Sequence, residues 1–253
     1  MSAFTSPNSI PGPVSEEFPT GTSVIDVVAS ILQALAPGAV AQILQFSAAP
    51  TAQHRTAEPD RRSEAIFERA LTLRSDTGLP FWDAVFLTGE LADQGVTPEI
   101  VEGALLHQSL HDAERSDVPI DADFAPRLRS LVAAPTSIVA FSSELRLKNG
   151  DVRHLPVLDF ASKSRRPGAA VSAITVARSL GVPGFILRSG RSFHFYGAVL
   201  LDADELQRFL CRALLLAPVT DARWIAHQLL DGKSSLRISP NGDGGAPSLI
   251  ARV

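Results

Sequence analysis

Apolar residues recur along this chain at two different spacings, and the switch between them divides it. Val24, Ile25, Val28, Ile31, Leu32 and Leu35 lie on one helical stripe. Pro37 interrupts the stripe, and Val40 to Phe46 reads as a second short helix. From Ser63 the helical period returns, with Ile66, Phe67, Ala70 and Leu71 on one side. A further helix covers about residues 79–94 and stops at Gly95. Another opens at Thr97-Pro98-Glu99, with Thr97 as N-cap and Pro98 in the first helical position.

Beyond residue 136 the period falls to two. Residues 137–147 predict a strand, and Asn149-Gly150 is a strong hairpin-turn signal. Residues 152–160 return as a second strand ending in Val157-Leu158-Asp159-Phe160. A helix over 168–180 stops at Gly181. Two strands follow, Gly184 to Arg188 and Ser192 to Tyr196, joined through Ser189-Gly190-Arg191. Asp202 and Glu205 form a capping box for a helix carrying Leu206, Phe209, Leu210, Ala213 and Leu214. A last helix spans about 221–231, followed by a strand-like Ser235 to Ser239 and a Gly-rich tail. The order β-β-α-β-β-α-α-β predicts an α+β domain, helices packed on a mostly antiparallel sheet.

The polar stretches set the boundaries. Residues 1–22 hold four Pro among Ser, Thr and Gly and read as a flexible leader. Residues 23–62 read as an amphipathic docking helix and linker, its apolar stripe set either on the core or, through residues 23–46, on a protein partner. Residues 63–135 read as a small, acidic, all-helical module, with 111–124 as an acidic loop. Residues 136–253 are the α+β domain.

Composition sharpens this picture in two ways. The 253 residues are 45% hydrophobic, enough for a real core, which excludes collagen-like and wholly disordered classes. Cys211 stands alone in an apolar helical pattern, so no intrachain disulfide forms, and it reads as a small buried hydrophobe. No run of 18 apolar residues and no basic amino-terminal region is present, which predicts a cytoplasmic protein without a membrane span. The net charge of −4 argues at first against a nucleic-acid partner. It hides a split. Residues 55–135 carry 8 basic and 15 acidic side chains, whereas residues 136–253 carry 15 basic and 9 acidic. The basic end is where the strands lie.

Alternation then places the chemistry. Val157, Asp159 and Ala161 share one face of the second strand; Ser192, His194 and Tyr196 share one face of the fourth. Phe193, Phe195, Leu158 and Phe160 point the other way and make natural core. Asp159 and His194 are therefore expected on a polar, non-core face, with Lys163, Arg188 and Arg191 at its rim. That arrangement suits a phosphate-bearing ligand. Trp224 and His227, three apart, read as packing residues. His107 and His111 have metal-ligand spacing but no evident third ligand.

Three of these stretches resemble the motifs of the archaeo-eukaryotic primase and primase-polymerase superfamily. Arg188-Ser189-Gly190-Arg191-Ser192-Phe193-His194 looks like its Ser-x-His motif. Leu158-Asp159-Phe160-Ala161 resembles its first acidic motif, with Asp159 in the first place and Ala161 where the second acid stands. Val219-Thr220-Asp221 is similar to its third, followed by Leu236-Arg237-Ile238-Ser239. The resemblance covers about residues 137–253 and implies an RRM-like catalytic core. It implies that Asp159 and Asp221 bind Mg²⁺ or Mn²⁺, that Asp159, Asp221 and His194 form the catalytic set, and that Arg188, Ser189, Arg191, Ser192, His194, Arg237 and Lys163 contact phosphate. The implied partners are nucleoside triphosphates and single-stranded or primed nucleic acid, and the implied reaction is template-directed nucleotidyl transfer. A divergent branch with a single aspartate in the first motif is expected. The alternative that Ala161 suggests is a non-catalytic nucleotide- and nucleic-acid-binding subunit of a multiprotein system.

Overall fold

The computed structural model describes residues 18–47, 61–91, 95–105, 113–133, 137–240 and 245–253. The leader up to residue 17, most of the 47–62 linker, and His107 and His111 lie outside the described residues. The chain forms two compact units, one of residues 1–47 with 113–253 and one of residues 48–112.

The 48–112 unit holds three helices, α2 (Arg61–Thr77), α3 (Phe81–Glu90) and α4 (Pro98–Leu105). Its core joins Ile66, Phe67 and Ala70 to Phe81, Trp82, Val85 and Ile100. Thr97 caps α4 as the sequence predicts, its hydroxyl accepting from Ile100 N–H at 3.3 Å. That hydroxyl also meets Ser63 Oγ at 2.9 Å, so two buried polar side chains satisfy each other.

The other unit is α+β, with two antiparallel sheets. It contains α1 (Val24–Leu35), β1 (Val40–Ser47), β2 (Glu114–Pro119), α5 (Phe124–Val132), β3 (Ser137–Arg146), β4 (Val152–His154), β5 (Val157–Asp159), α6 (Ala169–Ser179), β6 (Gly184–Arg188), β7 (Phe193–Gly197), α7 (Ala203–Leu214), α8 (Ala222–Asp231), β8 (Ser235–Arg237) and β9 (Ser248–Arg252). The first sheet runs β2-β1-β3-β4, with β8 also paired to β3; the second runs β5-β7-β6-β9.

Several expectations change. Val40–Ser47 is a strand between β2 and β3, because Gly38 at φ 76° turns the chain after α1 and the segment has partners on both sides. The acidic stretch expected as a loop supplies β2, at the edge of the sheet. The expected strand 152–160 is two strands in different sheets. Leu155 N–H still donates to Ser143 O in the first sheet, whereas the Pro156 carbonyl accepts from Gly197 N–H in the second. Pro156 has no N–H for a ladder and restricts Leu155, so the chain changes sheets there. The Gly-rich tail ends in an unexpected strand, β9. Unit boundaries consequently fall at 47/48 and 112/113 rather than at 62 and 135. The apolar stripe of α1 is buried in the core of its own unit, which settles core against partner for that stripe. Cys211 is exposed rather than buried.

The second sheet separates two cores. One face carries Leu158, Phe160, Ile186, Phe193 and Phe195 and is covered by apolar residues of α6, α7 and α8. The other face, with Val157, Phe185, Leu187 and Tyr196, packs into a core shared with the first sheet, α1 and α5. Among the described residues no helix is long and apolar enough to cross a membrane.

Candidate functional site

The site grows from one row of residues across the second sheet. Asp159 on β5 stands opposite His194 on β7, which stands opposite Leu187 on β6. On the far side of β5 the chain before α8 adds a short antiparallel bridge, Phe160 to Thr220. Ala161 N–H donates to Val219 O at 2.9 Å and Asp221 N–H to Asp159 O at 3.1 Å. This register sets Asp221 directly opposite Asp159, and opposed residues of neighbouring strands point to the same face. The row therefore reads His194, Asp159, Asp221: three stretches far apart in sequence, brought side by side.

The expectation of an open polar face needs correction. That face is the inter-sheet core, since β1, unrecognised as a strand, lets a second sheet cover it. His194 is 6% exposed and the Asp159 side chain 26%. His194 Nε2 lies 3.7 Å from Asp159 Oδ1, near but beyond hydrogen-bond length. Asp159 Oδ1 instead accepts from Phe160 N–H at 2.9 Å. Burial, and next the Asp221 carboxylate, push the Asp159 carboxyl up to about 8. Burial, helped by the Arg237 charge, pushes the His194 imidazole down to about 3. His194 is thus neutral across the physiological range, and its buried Nδ1 has no hydrogen-bond partner among the described residues.

Two groups on this face complete the site. Arg237, on β8, donates to the Ser239 carbonyl and, at 3.1 Å, to the Ser189 carbonyl. Burial lowers its pKa, while Tyr196 and Asp159 raise it. It ties the first sheet to the Ser189–Ser192 turn while facing the row electrostatically. Tyr196 is fully buried, with its hydroxyl unpartnered among the described residues; burial pushes it up from an ordinary phenol. The period-two pattern places Tyr196 beside His194, but nothing in the sequence says that a second sheet buries that face.

The turn is built by hydrogen bonds. Ser189 N–H donates to Ser192 O at 3.0 Å, with Gly190 at φ 88° between them. Ser192 Oγ donates to the carbonyls of Phe160 and Ser162. The Ser192 hydroxyl thus fastens the turn to the 160–162 segment. Ser189 is buried; Arg191 and Lys163 are exposed at the rim, and the Lys163 charge lowers the Asp159 carboxyl, whereas Arg188, expected at the same rim, is exposed but stands opposite Phe193 and so lies on the other face of the sheet. Asp221 has a second duty, since its Oδ1 caps α8 by accepting from Trp224 N–H at 2.9 Å. Trp224 Nε1 donates to Ser235 O at 3.3 Å, and His227 is buried, in keeping with packing roles.

Asp159 and Asp221 are the hard oxygen donors of this row. Among the described residues no group of three or more His, Cys, Asp or Glu side chains is placed to hold a metal ion. Residues 129–247 match the family model of the archaeo-eukaryotic primase 1D-like proteins, so this stretch is primase-like in sequence. No curated protein and no solved structure matches the chain.

Proposed function

We propose that the α+β unit is a primase-polymerase-like domain that binds a nucleoside triphosphate and a single-stranded or primed nucleic acid, and joins them by template-directed nucleotidyl transfer. The observation that carries the reading is the His194–Asp159–Asp221 row, with Arg237 beside it, inside a stretch that is primase-like in sequence.

A single divalent ion suits this donor set. Burial, and next the Asp221 carboxylate, hold Asp159 largely protonated near neutrality. Magnesium characteristically takes one or two carboxylates and fills its remaining positions with water and phosphate oxygens. Two ions would need more acids than the described residues gather. Asp159 and Asp221 are the residues that would hold Mg²⁺ or Mn²⁺, and the ion when bound supplies charge neutralisation at the phosphates. Arg237 sets a half-buried positive charge beside the row. Lys163 and Arg191 add positive charge at the mouth. Neutral His194 has an N–H to donate to a phosphate oxygen. Ser192 acts indirectly by holding the Ser189–Arg191 turn in place, with Ser189 next to Arg237.

The test is incorporation of labelled nucleotide on a primed and an unprimed template with Mg²⁺ or Mn²⁺. Wild type should form product, and Asp159→Asn should lose at least about a hundredfold in rate, the scale of a lost electrostatic contact at a reacting centre. Product that survives Asp159→Asn sinks the site assignment; no product from wild type with either ion sinks the catalytic reading. One observation favours a second reading, a non-catalytic binding subunit. Ala161 occupies the place of a second acid and contributes only its backbone, donating to Val219.

A further inference from the structure

Lys163, Arg165 and Arg166 crowd into the loop before α6, and Arg188 and Arg191 flank the turn before β7. The two segments are stitched together at Ser164. Its N–H donates to Arg191 O at 2.9 Å and its Oγ to Gly190 O at 2.8 Å. Ser192 adds a bond to Ser162 O at 3.1 Å, and Arg166 N–H folds back onto Lys163 O at 2.9 Å. Lys163, Arg165, Arg166 and Arg191 thus lie on two segments bound to each other, all four exposed, while Arg188 stands opposite Phe193 on the other face of the sheet. None of the four has an ion pair among the described residues, although charged side chains elsewhere in the unit do, such as Arg127 with Asp121 and Lys233 with Glu144. Like charges gathered without counter-charges repel one another, and a polyanion relieves that repulsion.

We infer that Arg165 and Arg166, which follow the phosphate contact at Lys163 in the chain, form a track for the phosphate backbone of a single nucleic-acid strand, outside the triphosphate contacts. The inference rests on the primase-polymerase reading and extends it. Half-buried Arg237 and the Lys163 charge act on Asp159 in the row, whereas Arg165 and Arg166 are exposed and are not among the charges that act on it. Residues 161–166 and 188–192 contain no aromatic side chain. Proteins that grip single strands by their bases set aromatic rings against them. This rim grips by charge alone, so its binding is indifferent to base identity and steeply dependent on salt.

The experiment measures binding of labelled oligothymidine and mixed-sequence oligonucleotides to the full chain by fluorescence anisotropy over a salt series. Each phosphate contact with a single strand contributes a slope of about 0.7 in log K against log salt. Arg165→Ala/Arg166→Ala should therefore flatten the slope by about 1.4 and weaken binding roughly tenfold at moderate salt. Arg165→Lys/Arg166→Lys should keep the slope. Binding of a labelled nucleoside triphosphate should stay within about twofold in both variants, and thermal melts should match wild type. Arg178→Ala/Arg208→Ala, which removes two exposed arginines from α6 and α7, should leave the slope unchanged. An unchanged slope in the first variant overturns the track. So does an equal change in the control pair, or an equal loss of triphosphate binding. Oligonucleotide binding with the expected slope but no incorporation leaves the track standing and sinks the polymerase. Incorporation with an unchanged slope does the reverse.

Discussion

Asp159 carries an unusual electrostatic load. An ordinary Asp titrates near 3.8, and here the carboxyl is pushed up to about 8. Between those values the native state holds a proton that the unfolded chain has released. Stability from this group is therefore complete below about pH 4 and is lost as pH rises toward 8. Asp159→Asn removes the ionisation, so the variant should be more stable than wild type at pH 8. A gain on the order of 2 kcal/mol fits a side chain that keeps some solvent contact, and the two should converge near pH 4. Melting temperatures across that range check it. Asp221 separates differently. Its carboxylate both faces Asp159 and caps α8, and Asn caps a helix about as well as Asp. Asp221→Asn should keep stability while losing activity, whereas Asp221→Ala should lose both, with about 1 kcal/mol of stability gone. Tyr196→Phe should be neutral or stabilising in a urea melt, since it deletes a buried hydroxyl with no partner among the described residues.

At the scale of elements, β6 and β7 depend on a glycine pair. Gly184 stands opposite Gly197, and a Cβ on Gly184 would meet Tyr196 O at 2.4 Å. The obstacle is backbone that also carries the His194–Tyr196 face, so it has little room to yield. Gly184→Ala should destabilise the unit by about 2 kcal/mol or more and disturb nucleotide binding together with stability. Denaturant titration reads the first and a labelled nucleotide the second. The elements also show what was legible in the sequence. The order β-β-α-β-β-α-α-β is there from β3 to β8, apart from the break at Leu155-Pro156, because those segments announce themselves by period and by local signals. Asn149-Gly150 turns as expected, and Asp202 with Glu205 makes the expected capping box. The missed strands lack such signals. β1 buries Ala41, Ile43 and Leu44, too short and mixed a run to tell strand from helix. β2 is Glu-Arg-Ser-Asp-Val-Pro, an edge strand burying only Val118. Their pairing is decided by partners far away in the chain. The site inherited that blindness: alternation put Asp159 with His194, but their burial depends on the sheet that β1 completes.

For the whole molecule, the unit that contains the primase-like stretch is discontinuous in sequence. The chain leaves it after β1 and re-enters at β2, and these strands are antiparallel neighbours, with Gln45 opposite Glu114. The 48–112 unit is thus an insertion between two strands that a short turn could join. Closing a long loop costs only slightly more than closing a shorter one, growing with the logarithm of length. Replacing residues 48–112 by a short Gly-containing turn should preserve a cooperative melt and the oligonucleotide salt slope. Starting the chain at residue 129 removes α1 and β1 and should abolish that melt, although it retains the whole primase-like stretch.

The segment before α1 is bound to the final strand: Gly21 N–H donates to Leu249 O, and Leu249 N–H to Thr22 O. On a ribosome this sets an order of events. The core of the helical unit, from Ile66 to Ala104, lies within a short span of chain and can form soon after it emerges. β1 must wait for β3, with Ile43 opposite Phe141, a delay on the order of ten seconds at usual elongation rates. The inter-sheet core that shelters Asp159 is sealed only when Leu249 has cleared the exit tunnel. Until β3 emerges β1 lacks that partner, and a chaperone that shields such edges has most to do in that interval.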